Sequence, residues 1–234
     1  MTGIAHNLQH TRERIAAACA AAGRSTDGVT LLAVSKTFGA EDVREAHAAG
    51  QRAFGENYVQ EALDKIAALA DLRAGLEWHL IGPLQSNKTR VVAESFDWVH
   101  SVDRLKVAER LSVQRPESLP PLQVCLQVNV SGEASKSGVP PAEVAALAVQ
   151  VARLPRLRLR GLMSIPEPAA DVEAQRAPHR VLRALLDELR GQGLALDTLS
   201  MGMSADLEAA VAEGATIVRI GTAIFGGRTY PVRA

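Results

Sequence analysis

Eight short runs of strand-forming residues recur along this chain of 234 residues, each followed by a helical pattern or, for the last, by the chain end. That alternation is the strongest constraint on the fold. Strands separated by helices pair in parallel through crossover connections. The runs are VTLLAVSK from Val29, RAFGEN from Arg52, LEWHLIG from Leu76, DWVHSV from Asp97, LQVCLQVNV from Leu122, LRGLMSI from Leu159, DTLSMGM from Asp197 and TIVRIGT from Thr216. Helices are expected at 40–49, 58–72, 87–95, after Asp103 as N-cap, along PPAEVAALAVQVARL from Pro140, at 178–190 and at 205–213. A further helix at 6–22 precedes the first strand, with Leu8, Ile15, Ala18 and Cys19 on one side and Gly23 as its stop. An open doubly wound sheet also satisfies the alternation. Eight units in a chain close to the ~250 residues of a (β/α)₈ barrel favour one barrel domain over residues 1–234 with an extra N-terminal helix.

Composition narrows the function. Apolar residues make up 47% of the chain, enough for a large core. Lys+Arg and Asp+Glu both number 26, so the basic excess of a nucleic-acid binder is missing. No apolar run approaches the ~18–20 residues of a membrane span, and MTGIAHNLQHTRER lacks the apolar centre of a signal peptide. Cys19 and Cys125 form no CxxC pair and read as reduced thiols of a cytoplasmic protein. No metal site is expected.

In a barrel, chemistry sits where strands end and βα loops begin. Strand parity decides which side chains point inward. Leu32, Val34 and Lys36 share one parity, and Lys36 is the last of them. An inward lysine there has its stem on apolar walls, where desolvation favours the neutral amine that Schiff-base chemistry requires; the alternative is a lysine reaching solvent at a strand end. The loops after strands seven and eight, SMGMS and IGTAIFGG, stand where barrels bind phosphate. Gly202 and Gly221 would let backbone approach an anion, and Ser204 and Thr222 offer hydroxyls; Ser204 as a plain helix cap, and Asp206 as an opposing charge, weigh the other way. Arg219 shares parity with Gly221 and needs an acceptor. That acceptor is either a carboxylate such as Glu56 or the ring nitrogen of a bound pyridine. Asn57, ending strand two, and Met163, ending strand six, are candidates for the phenolic oxygen and ring face of the same ligand.

These segments resemble a known family. VSKTF around Lys36, FGENYVQE from Phe54, WHLIGPLQSNK from Trp78, HSVD from His100, VNVSGEASKSG from Val128, RGLMSI from Arg160 and LSMGMSADLEAAVAEGATIVRIGTAIFG from Leu199 resemble the pyridoxal phosphate homeostasis proteins, relatives of the alanine racemase N-terminal barrel. The resemblance implies pyridoxal 5′-phosphate (PLP) on Lys36, its phosphate held by Ser204 and the Gly221–Thr222 loop, and Arg219 at the pyridine nitrogen. It implies a cytosolic protein that stores or delivers PLP, with apo PLP-dependent enzymes as recipients and no known reaction. Phe38-Gly39 departs from the basic residue and proline of many relatives, leaving Lys136 as the candidate second amine.

Two other functions stay open at this stage. A racemase of this fold needs a second base, which the resemblance places on a C-terminal β-domain. No such domain follows strand eight here, and the tyrosines are Tyr58 and Tyr230. A Schiff-base aldolase without PLP would use Lys36 with Glu56 or His79 as its acid or base. A monomer is expected.

Overall fold

The computed structural model describes residues 3–131 and 137–227. Lys136 and Tyr230 lie outside them.

Eight strands, β1 (Thr30–Val34), β2 (Ala53–Glu56), β3 (Glu77–Leu80), β4 (Trp98–Val102), β5 (Leu122–Gln127), β6 (Leu157–Met163), β7 (Thr198–Ser200) and β8 (Ile217–Ile220), pair in chain order. All pairings are parallel, and β8 closes on β1 with Thr30 opposite Ile217. The helices are α1 (Gly3–Ala21), α2 (Ala40–Ala48), α3 (Val59–Ala68), α4 (Thr89–Ser95), α5 (Leu105–Gln114), α6 (Val144–Val151), α7 (Val172–Gly191), α8 (Leu207–Ala212) and α9 (Thr222–Phe225).

Period-two alternation sorts the strand residues into two cores. Leu31, Ala33, Phe54, Trp78, Leu80 and Val218 point outward into the layer beneath the helices. Leu32, Val34, Ala53, Ile81, Trp98, Cys125, Met163 and Ile217 form a separate cluster inside the barrel. The expected parity of strand one therefore holds. Both cysteines are free and buried, and burial pushes the Cys125 thiol up to about 12, which leaves it inert.

The N-terminal helix packs on the last two helices of the chain. Leu8, Ile15, Ala18 and Cys19 are its buried side, as expected. Asn7 Nδ2 donates to Ile224 O at 2.9 Å, and Arg14 pairs with Glu208 at 2.8 Å and donates to Ser204 O at 3.3 Å. The extra helix thus fastens the loops that follow β7 and β8.

Three local expectations change. Helix α7 starts at Val172, not at Pro178, because Asp171 caps it through Ala174 N at 2.8 Å. Pro178 sits inside the helix and removes one backbone hydrogen bond; the burial of His179, Leu182, Leu186 and Leu189 offsets that loss. Asp103 does not cap α5: the capping position is Arg104, whose guanidinium Asp103 accepts at 2.6 Å. Helix α3 ends at Ala68 and continues as a 3₁₀ run, Ala70–Gly75. The short α9 has too few residues to show a period in the sequence.

Candidate functional site

Lys36, Asn57, Ser204, Arg219, Gly221 and Thr222 line one cavity of about 450 Å³ at the C-terminal ends of the strands. Val34, Phe38, Ile81 and Ile165 supply its apolar walls. These residues come from the ends of β1, β2, β3, β6, β7 and β8, so the parity and loop arguments converge on one place. Met163, fully buried, belongs to the interior cluster; Ile165, two residues on, reaches the cavity wall.

The backbone on both sides of Lys36 is held by a buried ionic cluster. Ser35 points outward and donates to Glu56 Oε1 at 2.6 Å. Lys65 Nζ, on α3, donates to Ser35 O, Glu56 Oε1 and Glu61 Oε1, each at 2.7 Å. Glu61 Oε1 in turn accepts Thr37 N at 2.6 Å. Thr37 takes φ +70°, a left-handed conformation that costs a β-branched residue on the order of 1–3 kcal/mol. The ion cluster pins this turn, and the turn follows Lys36 directly. Glu56 therefore partners Lys65 and Ser35, not Arg219. In the sequence Glu61 and Lys65 read as an ordinary exposed i,i+4 pair; Lys65 is in fact 5% exposed. Phe38 stacks on Phe225 with ring centroids 5.1 Å apart, joining the loop after β1 to α9.

The two glycines expected to face an anion have different tasks. Gly202 has φ +95°, and a Cβ there would lie 2.5 Å from the Ala210 side chain. It serves the close approach of α8 and does not line the cavity. Gly221 does line it; a Cβ there would lie 3.0 Å from Val34 O, so its backbone sits tight against β1. Asp206 turns away from the cavity. Its carboxylate accepts Met203 N at 2.7 Å and meets His179 Nε2 at 2.9 Å. Burial opposes ionisation of Asp206, yet the His179 and Met203 contacts hold its pKa below the usual carboxylate value. Asp206 thus shapes the Met203–Ser204 loop from behind, through its hydrogen bond to Met203 N.

Asn57 depends on a residue that sequence reasoning missed. A Cβ at Gly82 would lie 2.1 Å from Asn57 O, so only glycine lets the loop after β3 pass beneath Asn57. Asn57 Oδ1 is buried and has no hydrogen-bond partner among the described residues. Arg219 is 4% exposed and donates to Ser200 Oγ at 2.9 Å and Ser164 O at 2.8 Å. Burial pulls its pKa down to about 10, which leaves it cationic at neutral pH.

A closed parallel barrel with a lysine ending strand one and paired loops after strands seven and eight defines the alanine racemase N-terminal type. The model of the family "Alanine racemase, N-terminal domain" matches residues 4–229. Alanine racemase from Corynebacterium glutamicum shares the fold with TM-score 0.69 at 18% identity, covering 97% of this chain and 61% of that one. Much closer are proteins of one subgroup. The pyridoxal phosphate homeostasis protein of Pseudomonas aeruginosa is 65% identical over 98% of both chains. That of Escherichia coli K12 is 56% identical over 98% of this chain and 99% of the relative. The structure of PipY from Synechococcus elongatus with PLP bound superposes with TM-score 0.84 at 43% identity, over 95% of this chain and 100% of that one. The chain belongs to the pyridoxal phosphate homeostasis protein family.

Proposed function

We propose that this protein holds PLP as a Schiff base on Lys36 and serves intracellular PLP and amino-acid homeostasis by storing the cofactor or delivering it. The observation that carries the reading is the convergence of Lys36, Arg219, Asn57 and the Ser204 and Gly221–Thr222 loops on one cavity. Bound PLP supplies an aldehyde for an amine and a ring that withdraws electrons. Around it, the residues have separable tasks. Lys36 contributes the amine, and the pinned turn at Thr37 fixes where its strand ends. Ser204, Thr222 and the backbone at Gly221 hold the phosphate. Asn57 would hydrogen-bond the phenolic oxygen, and Arg219 would stand at the ring nitrogen. A permanent cation at that nitrogen keeps it unprotonated, so the ring is a weak electron sink and retention is favoured over carbanion chemistry. Met163 supports the floor beneath the ring.

A racemase would require a second base at the cavity. Tyr58 is 56% exposed at the start of α3 and does not line the cavity wall. An aldolase reading is weakened by Glu56, which faces Lys65, and by His79, which is tied to Glu77 and His100. We place the protein in the cytoplasm as a monomer, with apo PLP-dependent enzymes as recipients. No helix among the described residues is long and apolar enough to cross a membrane. The test is transfer: PLP-loaded protein should activate an apo-enzyme at least as fast as free PLP at equal concentration and should leave the optical activity of an L-amino acid unchanged. Racemisation, or a loaded protein that never yields its PLP, would contradict the reading.

A further inference from the structure

Below the cavity floor, four side chains from three strands link Arg219 to the opposite end of the barrel. Arg219 Nη1 on β8 donates to Ser200 Oγ on β7 at 2.9 Å. Ser200 Oγ lies 2.8 Å from His100 Nδ1 on β4. His100 Nε2 lies 2.9 Å from His79 Nδ1 on β3, and His79 Nε2 lies 2.7 Å from Glu77 Oε1 at the start of the same strand. Ser200 and His100 are fully buried and His79 is 1% exposed, whereas the Glu77 side chain is half exposed.

Donor and acceptor chemistry gives this chain one direction. A guanidinium only donates, so Ser200 Oγ accepts from Arg219. The Ser200 proton then needs an acceptor, and His100 Nδ1 is the one in reach. His100 must carry its own proton on Nε2 and give it to His79 Nδ1. His79 in turn carries its proton on Nε2 and gives it to the Glu77 carboxylate. Any other arrangement leaves a buried donor or acceptor unmatched. Burial, His79 and Arg219 push the pKa of His100 well below its ordinary value, which agrees with a neutral ring. The His79 hydrogen bond, against the opposing effect of burial, holds the Glu77 pKa below the ordinary carboxylate value. The donor–acceptor order thus runs from the guanidinium at one end to the carboxylate at the other, with one proton on each imidazole between.

We propose that Glu77, His79, His100 and Ser200 are positioning residues for Arg219, forming a one-way hydrogen-bond relay that fixes the guanidinium at the cavity floor. Of its five N–H bonds, Arg219 uses one on Ser200 and one on Ser164 O, and the relay sets which of the rest face the cavity. The role in PLP binding rests on the reading given under Proposed function; the direction of the relay does not. It makes the ring-nitrogen end of the site sensitive to a carboxylate at the far end of the barrel.

Two measurements on the full chain decide it. Long-range ¹H–¹⁵N spectra of the PLP-free protein at neutral pH should show His79 and His100 both neutral with the proton on Nε2. A cationic ring, or a proton on Nδ1 of either, overturns the relay. PLP titration should show Ser200→Ala weakening affinity about tenfold, the scale of one hydrogen bond from a charged donor, with a shifted absorption band of the bound cofactor. Glu77→Leu should weaken it about threefold and mix the imidazole tautomers, while Glu77→Gln, whose amide oxygen still accepts from His79, should stay close to wild type. Ile217→Val, in the same interior cluster but outside the relay, should lower the melting temperature and leave affinity and spectrum alone. If Ser200→Ala behaves like Ile217→Val, the four residues are packing only. If the wild-type chain binds no PLP, the proposed function fails, and the tautomer spectra still decide the relay.

Discussion

Low in the barrel, His79 stacks on Trp98 with ring centroids 5.2 Å apart, and Arg160 lies 4.8 Å from the centroid of the same indole. At the mouth, Asn57 Oδ1 points at no partner, and Thr37 is held in a left-handed turn beside a cavity of about 450 Å³. The lower interior is filled by stacked rings whose polar atoms are matched to one another. The upper interior keeps volume, strain and an unmatched acceptor. Barrel interiors are usually filled in layers of side chains. Here the layering stops short of the mouth, and the left-handed turn at Thr37 and the unmatched Asn57 Oδ1 stand beside the proposed ligand site. The lower end answers to stability and the upper end to binding.

Glycine substitutions should separate the two ends most strongly. A Cβ at Gly161 would lie 1.9 Å from Thr198 O, and one at Gly82 lies 2.1 Å from Asn57 O. Gly161→Ala and Gly82→Ala should each lower unfolding free energy in urea by about 3 kcal/mol. Only Gly82→Ala should also weaken PLP binding in the folded fraction, because it displaces Asn57. Equal binding losses in both variants would break the comparison.

Acid should act next, through Asp206. Its folded pKa lies below the unfolded value, so its stabilisation is fully present above about pH 3.9 and lost as pH falls through the folded pKa. Melting temperature should drop as pH falls below about 3.9, and Asp206→Asn should already be destabilised at neutral pH and show a smaller drop. A drop as steep in the variant as in the wild type would assign the acid sensitivity to other carboxylates.

Ser204→Ala should weaken PLP affinity about fivefold, one hydroxyl hydrogen bond, with no change in melting temperature. The smallest effect is expected at Thr37. Thr37→Gly should relieve the left-handed strain and raise stability by about 1 kcal/mol, while release of PLP becomes faster because the turn after Lys36 loosens. Increased stability with unchanged release would mean that the strain has no role in retention.

Much of this arrangement is legible in the sequence. Parity along β1 places Leu32 and Val34 inside, and the same count brings Lys36 to the mouth. The order of strands brings the loops after β7 and β8 beside β1. What the sequence hides are tertiary matters. Glu61 and Lys65 have the spacing of a solvent-exposed helix pair, and only the packing of α3 on β1 and β2 buries Lys65. His79 and His100 are 21 residues apart and meet only because adjacent parallel strands bring them into contact. Gly202 reads in the sequence as a point of anion approach, and only the fold shows Ala210 packed against it. Pro178 signals a helix start by its fixed φ, and buried contacts beyond it carry the helix through.

The central claim is that one lysine, Lys36, holds the cofactor. Borohydride reduction of the PLP-loaded protein followed by peptide mass mapping tests it directly. The visible absorption band should disappear and a single pyridoxyl phosphate adduct should map to the peptide containing Lys36, with no comparable adduct in Lys36→Ala. An adduct on Lys136, label scattered over several lysines, or a Lys36→Ala protein with the wild-type band and affinity would contradict the account.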